Sequence, residues 1–369
     1  MHAVIDYRPA LRQRTGVGEY THELARALVS LAGRRPLDLT LFSSSWKDRV
    51  TVEDGLRGAS FVDRRVPVTL LNLAWHRFNW PPIETIARGR FDIAHSMHPL
   101  LMPAQNAARI VTIHDLDFLS HPERTRAEIR RDYPALARAH ARRADAIIAV
   151  SQFTAGEVQR HFGVPADRVS VCPPGAPPWT PRVQPPAAGY VLFFGTLEPR
   201  KNVGGLLDAY QRLSARRRDL PRLVLAGQAT DAARPWLDRI QRPPLDRLVT
   251  HIGYVDPANR RALYQDAICL VQPSFEEGFG IPVLEAMTIG VPVVVTDRGA
   301  LPEVTAGAGE IVSADDPDEL AAAIERLVDD PSLAAGRARL GIVRAGEFRW
   351  DITAQKVYET YERAKQRRT

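Results

Sequence analysis

A chain of 369 residues is long for a single core, so two domains are expected, and its 45% hydrophobic and 25% charged residues are those of an ordinary globular protein. The formal net charge of +6 suits anionic partners such as nucleic acid, acidic phospholipid or phosphorylated substrates, without choosing among them. The opening Met-His-Ala-Val-Ile-Asp-Tyr-Arg lacks a basic segment followed by an apolar one, and no apolar run is long enough to span a bilayer, which excludes a secretory signal and a membrane span and predicts a cytoplasmic protein.

Short apolar runs alternate with helical patterns along the first half. Strands are predicted at Ala3–Tyr7, Leu37–Phe42, Phe91–His95, Ile110–His114, Ala146–Val150 and Val169–Cys172. Between the first two, Tyr20, Leu24, Leu28 and Leu31 recur at helical spacing. Pro122–Ala144 is a helical stretch rich in arginine. Pro173–Ala188 holds seven prolines and no periodic pattern, so it reads as a linker. The alternation then restarts, with strands at Tyr190–Phe194, Leu223–Ala226, Val249–Ile252, Ile268–Val271 and Pro292–Thr296, and helices near Val203–Arg218, Ala232–Ile240, Pro257–Asp266 and Gly280–Ile289. The tail, Pro317–Arg368, is helical throughout in pattern. Strands alternating with helices predict parallel sheets covered on both faces. Cys172 and Cys269 lie in apolar strand-like runs without zinc-type spacing and read as buried, reduced thiols.

The most informative segment is Pro273–Pro292. A strand runs into a turn punctuated by Gly278 and Gly280 and then into a helix. Glycines let a backbone approach a ligand, and a helix start offers unpaired N–H groups to phosphate or sugar oxygens. Glu277 precedes the turn and Glu285 lies about one turn into the helix, so both carboxylates can face vicinal hydroxyls at the carboxyl end of a sheet. The plainer reading makes Glu277 a helix cap and Glu285 a solvated residue. Upstream, Tyr190–Asn202 places Arg200 and Lys201 on a loop after a strand, where adjacent cations can neutralise a diphosphate and a departing nucleotide.

The pattern from Glu277 to Glu285 resembles the E-x7-E motif of the family 4 retaining glycosyltransferases, and Gly195 to Asn202 resembles their diphosphate loop. The resemblance implies a GT-B fold: two Rossmann-like domains with parallel sheets facing a central cleft, and a C-terminal helix crossing back to the first domain. It implies an acceptor domain over 1–180, a nucleotide-sugar donor domain over 181–350 and a returning helix over 351–369. By the same resemblance Glu277 contacts the donor hexose and Glu285 the ribose, while the amides of Phe279, Gly280 and Ile281 face sugar and phosphate. Gly253-Tyr254-Val255 resembles the base-binding segment, with Tyr254 and Val255 at the base. Gly16 and Gly18 sit where the family has a flexible loop over the phosphates. His114 corresponds to a histidine that approaches the donor sugar. Glu303 resembles a residue near the cleft.

Arg200 and Lys201 would replace a metal ion, so no metal and no cofactor are expected beyond the nucleoside diphosphate sugar. Asp115-Leu116-Asp117 spells the D-x-D of metal-dependent GT-A transferases, but the donor motifs lie in the other half and the match is read as coincidence. Ser151 reads as a helix N-cap. The opening segment looks most like mannosyltransferases of bacterial polysaccharide and lipopolysaccharide assembly. This implies GDP-mannose as donor, with UDP-glucose or UDP-N-acetylglucosamine as the alternative, and a saccharide or lipid-linked saccharide as acceptor. A nucleotide-sugar 2-epimerase and a non-catalytic nucleotide-sugar-binding protein share the fold and remain as other classes. No nucleic-acid recognition motif accompanies the basic residues. The arginines of Arg124–Arg143, with Leu70, Leu71, Leu73, Trp75, Phe78 and Trp80 in Pro67–Pro82, suit peripheral contact with an anionic membrane at its inner face, or equally a solvated helix and a core segment.

Overall fold

A computed structural model describes residues 1–11, 14, 16–121 and 127–368. The chain divides into two compact units. The first comprises Met1–Gly175 with Arg349–Thr369, and the second Ala176–Phe348.

The first unit is built on strands β1 (His2–Asp6), β2 (Asp38–Ser44), β3 (Ser60–Arg64), β4 (Ile93–Ser96), β5 (Ala108–Ile113), β6 (Ala146–Ala149) and β7 (Val169–Val171). Among the described residues they form one parallel sheet in the order β3-β2-β1-β4-β5-β6-β7. Its helices are α1 (Val17–Ala32), α2 (Val68–Phe78), α3 (Ile83–Ala87), α4 (Asp117–Ser120), α5 (Ala127–Arg143) and α6 (Gln152–Phe162). The central strands are apolar on both faces, as helices on both sides require. One cluster gathers Val4, Phe42, Trp75 and Ile83, and another Val111, Ile113, Ile147 and Phe162. Helix α1 buries Tyr20, Leu24, Leu28 and Leu31, the stripe that the sequence marks.

The second unit carries β8 (Tyr190–Phe194), β9 (Leu223–Ala226), β10 (Val249–Gly253), β11 (Ala267–Gln272), β12 (Val293–Thr296) and β13 (Glu310–Val312), in the parallel order β10-β9-β8-β11-β12-β13. Its helices are α7 (Val203–Arg216), α8 (Arg234–Arg239), α9 (Pro257–Gln265), α10 (Ile281–Ile289), α11 (Leu301–Thr305), α12 (Pro317–Asp329) and α13 (Pro331–Ala345). The core joins Val191, Phe193 and Leu225 of the sheet to Leu206, Tyr210 and Ile324 of the helices.

Helix α14 (Trp350–Arg368) belongs to the first unit, where it packs on α1. Tyr361 bonds His95 Nδ1 at 2.7 Å, and the Thr353 hydroxyl donates to the Pro173 carbonyl at 2.6 Å. The tail, helical in pattern throughout, forms three helices, broken where Asp330 caps α13 and where Gly346 ends it. Two edge strands, β3 and β13, and helices α2, α3, α4 and α11 add to the predicted elements. Of the arginine-rich stretch, residues 122–126 lie outside the described residues, as does Thr15 beside Gly16. Cys172 and Cys269 are free and buried.

In each sheet the strand order reverses direction at one place. The reversal falls between β1 and β4 in the first sheet and between β8 and β11 in the second. Open parallel sheets bind ligands outside the carboxyl ends of the strands at such a point.

Candidate functional site

The second unit's switch point brings together the motifs that the sequence separates by some seventy residues. The loop after β8 is a short turn, Pro199–Lys201, closed by Asn202 in a left-handed conformation at φ 52°. The Asn202 side chain caps α7 at Gly205 and donates to the Ala314 carbonyl at 2.9 Å, which fixes the loop at both ends. The loop after β11 carries Glu277. Phe275 N–H donates to the Arg200 carbonyl at 2.8 Å, so the two loops are stitched through their backbones.

Lys201 is buried and pairs with Glu277 Oε1. The same oxygen accepts from Gln272 Nε2 at 2.7 Å and Ser274 Oγ at 2.9 Å. Arg200 reaches Glu277 Oε2 at 3.3 Å and Glu198 at 2.7 Å. Burial alone would raise the Glu277 carboxyl, but Lys201 and Arg200 override it and hold it down at about 2. For Lys201, burial and then the neighbouring Arg200 charge lower the ammonium from its ordinary value. An arriving anion would offset that penalty by facing the adjacent Lys201 and Arg200 charges. Glu277 caps no helix: the N-cap of α10 is Gly280, at φ 96° and without a side-chain bond.

Glycine is required here twice. A Cβ at Gly280 would stand 2.8 Å from Leu301 on a left-handed backbone, and one at Gly299 would stand 2.5 Å from the Glu277 carbonyl oxygen. Ala300 N–H then holds that carbonyl at 2.8 Å. Among the described residues the N–H groups of Phe279, Gly280 and Ile281 donate to no other backbone group, which leaves them for a ligand. Glu285 is buried rather than solvated. Arg260 faces its Oε1 at 3.3 Å, and Tyr264 donates to its Oε2 at 2.7 Å. Tyr254 and Val255 follow β10, two strands from β8 and thus about 10 Å along the carboxyl edge.

The first-unit candidates occupy its own carboxyl edge. His114 lies just past β5 instead of ending it. Its Nε2 donates to the Met97 carbonyl at 3.2 Å, its ring meets Tyr20 edge-on at 5.0 Å, and burial pulls its pKa down to about 4. The neutral ring therefore keeps the Nδ1 lone pair as an acceptor. Gly16 caps α1 and Gly18 is buried in its first turn. Ser151 caps α6 through Thr154 N–H. Sequence reasoning missed Gln272, Ser274, Arg260, Tyr264 and Gly299. Gln272 and Ser274 flank Glu277 closely enough to have been suspected, whereas the others are joined to the site only by folding.

Comparison with known proteins matches residues 14–178 to the model "Glycosyltransferase Family 4" and residues 188–330 to "Glycosyl transferases group 1". The O-antigen chain mannosyltransferase B of Escherichia coli is 29% identical, across 98% of this chain and 100% of its own. A D-inositol 3-phosphate glycosyltransferase of Catenulispora acidiphila is 30% identical, across 76% of this chain and 67% of its own. Among solved structures, a sucrose-phosphate synthase from Thermosynechococcus elongatus superposes with a TM-score of 0.80 at 20% identity, covering 98% of both chains. WaaG, a glycosyltransferase involved in lipopolysaccharide biosynthesis, does so at 0.75 and 17% identity, covering 97% of this chain and 99% of that one. With both halves matched by the family's models and its length matched by these relatives, the chain belongs to the family 4 glycosyltransferases and has their GT-B fold.

Proposed function

We propose that the protein transfers a mannosyl group from GDP-mannose to a hydroxyl of a saccharide or lipid-linked saccharide acceptor in cell-surface polysaccharide synthesis, with retention and without a metal ion. The observation that carries the donor site is the pairing of Arg200 and Lys201 with Glu277 at the second sheet's switch point. Two fixed cations compensate a diphosphate and stabilise the charge that grows on the leaving nucleotide, the part a metal plays elsewhere. Glu277 accepts from the donor sugar's hydroxyls on the Oε2 side, since Oε1 already takes three donors. The amides of Phe279, Gly280 and Ile281 face sugar and phosphate, Glu285 takes the ribose hydroxyls, and Tyr254 and Val255 lie at the base. From the first unit, Gly16 and Gly18 form the phosphate-side loop and His114 offers Nδ1 to a sugar hydroxyl. No carboxylate nucleophile is assigned, so attack proceeds on the face that the nucleotide leaves, its phosphate taking the acceptor's proton. The choice of mannose is supported by the E. coli relative's name. UDP-glucose or UDP-N-acetylglucosamine is the competing donor.

The test is a thermal-shift panel of GDP, UDP, ADP and their sugars, with and without EDTA, followed by NMR of the product's anomeric proton. Selective stabilisation by GDP, indifferent to EDTA, and an α-linked product from the α-linked donor are expected. Stabilisation by UDP alone would replace the donor, dependence on a divalent ion would overturn the two-cation account, and a β-linked product would overturn retention.

Peripheral attachment to an anionic membrane is part of the proposal. Leu70, Leu73, Phe78 and Trp80, on α2 and just beyond it, are 57–69% exposed. Exposed Arg77 lies on the same helix, and Arg143 bonds Asn79 at its end. Among the described residues no helix is long and apolar enough to cross a membrane. Flotation with phosphatidylglycerol vesicles but not phosphatidylcholine ones, lost on Leu73→Ser with Phe78→Ser, is the expected result. Equal recovery with and without vesicles removes the membrane from the proposal.

A further inference from the structure

The donor account gives Glu285 the ribose hydroxyls and leaves the side chains that hold it without a role. Glu285 lies on α10, and with 6% of its side chain exposed it cannot swing to meet a ligand. The direction of its carboxylate is set from within the second unit. Two donors that set it stand on α9. Arg260 Nη1 faces Oε1 at 3.3 Å, and the Tyr264 hydroxyl donates to Oε2 at 2.7 Å. They are four residues apart, so one face of the helix carries both. The start of α9 is fixed by Pro257 in its first turn and by Asp256, whose side chain accepts from Ala258 N–H at 2.9 Å.

The donors are themselves held. The Tyr264 ring is wholly buried, with its centre 5.7 Å from that of Phe194, at the end of β8, and 6.0 Å from that of Trp179. The Arg260 guanidinium lies 5.9 Å from the Phe194 ring centre. Burial first, and then the Glu285 charge, push the Tyr264 phenol well above its usual range, so it keeps its proton and donates. A phenol on one oxygen and a guanidinium on the other fix the plane of the carboxylate, and with it the directions of its other lone pairs. Two oxygens held in one plane suit the two adjacent hydroxyls of a ribose. A buried acceptor aimed in this way rejects a sugar without those hydroxyls, because such a sugar displaces water from the carboxylate and returns no bond.

We infer that Tyr264 and Arg260 are positioning residues that make the site selective for ribonucleotides: they aim Glu285 at the ribose diol and thereby set the preference for ribose over deoxyribose. This rests on the assignment of the ribose to Glu285 and goes beyond it, since both side chains act through the carboxylate. A purely structural role has a different signature. Side chains that only held α9 against α10 would, when changed, weaken nucleotides with and without ribose hydroxyls alike.

The test is isothermal titration of the full chain with GDP, UDP and the 2′,3′-dideoxy form of each. For whichever base binds, the unmodified chain should prefer the ribose form about 10-fold or more, the effect of bonds to a charged group. Tyr264→Phe keeps the ring against Phe194 and Trp179 and removes only the hydroxyl. It should weaken the ribose form about five-fold or more and leave the dideoxy form unchanged, so that the preference shrinks. Arg260→Lys keeps the charge but not the planar fork, and should shrink the preference about two-fold or more. Tyr210→Phe is the control. It takes a hydroxyl away from the Pro221 carbonyl, elsewhere in the same unit, and should lower the melting temperature without altering the preference. The inference falls for either residue whose variant keeps the unmodified chain's preference. Equal binding of ribose and dideoxy forms by the unmodified chain would take the ribose away from Glu285, and the inference with it. If none of the four nucleotides binds, the donor reading itself falls.

Discussion

At the switch point of the second sheet, two cations converge on Glu277, and the lysine is buried. At that of the first sheet, the single guanidinium of Arg8 is gripped by Asp6, at the end of β1. The two frames share a topology and differ in the charges they hold. In the second unit Arg200 and Lys201 stand against Glu198 and Glu277, whereas in the first Arg8 stands against Asp6. Topology thus puts such a frame at the same place in each unit, and the few side chains after β1, β4, β8 and β11 set its charge.

The sharpest way to break the comparison is at Glu277. Glu277→Gln keeps the hydrogen bonds to Ser274 and its neighbours but leaves Lys201 without its counter-charge. Transfer should fall about 100- to 1000-fold. Glu277→Ala should also lower the melting temperature, since removing one partner of a buried pair costs about 3–5 kcal/mol. Near-normal turnover of the glutamine variant, read by release of nucleoside diphosphate, would remove Glu277 from the chemistry. Next in size, Arg200→Ala should weaken nucleoside diphosphate binding about 10- to 100-fold, because a charge-assisted bond contributes about 1.5–3 kcal/mol. Isothermal titration would show it. Unchanged affinity would mean that the phosphates lie elsewhere and that the charge difference between the units has no bearing on the donor.

The units should also differ in their response to acid. Burial pulls His95 to about 3, and His114, His76 and His140 to about 4, all in the first unit. The unfolded chain binds protons at these sites from pH 6.5 downward, whereas the folded chain resists until about 4 or below. Stability from these groups is therefore present above pH 6.5 and is lost as the pH falls. Glu277 is likewise depressed, but from 4.5 to about 2, so its contribution is lost only below pH 4.5. Between pH 7 and pH 5 the first unit should lose hydrogen-exchange protection in β4 and β5, after correction for intrinsic rates, while β8 and β11 keep theirs. Parallel loss in both sheets would show that the histidines do not set the acid response.

Much of this was legible in the sequence. The apolar runs of β1, β6, β8 and β12 need no partner to be recognised, because strands buried on both faces are apolar throughout. Edge strand β3, Ser-Phe-Val-Asp-Arg, is half-buried and polar at both ends, and β13 has three residues, so neither carries that signal. Glu277, Arg200 and Lys201 were legible because each sits in a local pattern whose chemistry is recognisable before folding. Asp6 and His98 belong to different strands with no common motif, and only the sheet order makes them neighbours. Helix α2 was hidden because its apolar residues face both ways, Leu71 and Trp75 inward and Leu70 and Leu73 outward.

The smallest effect separates a residue that holds the fold from one that holds the site. Ser151 and Asn202 do the same local work, each accepting a backbone N–H at the start of a helix, α6 in the first unit and α7 in the second. Ser151→Ala should cost about 1 kcal/mol, the usual loss of a cap. Nucleotide affinity should be unaffected, because that cap lies in the first unit whereas Arg200, Lys201 and Glu277 belong to the second. Asn202→Ala should cost the cap and, in addition, about 1–2 kcal/mol for placing alanine at φ 52°, which asparagine tolerates better. It also frees the loop that presents Arg200 and Lys201, since the bond from Asn202 to the Ala314 carbonyl goes with it. Nucleotide affinity should then fall about two- to five-fold although Asn202 is assigned no contact with the ligand. Melting curves and nucleotide titrations on the two variants decide the matter. If both lose stability and neither loses affinity, Asn202 is a cap like Ser151, and Arg200 and Lys201 are held by their bonds to Glu277 and Glu198 alone.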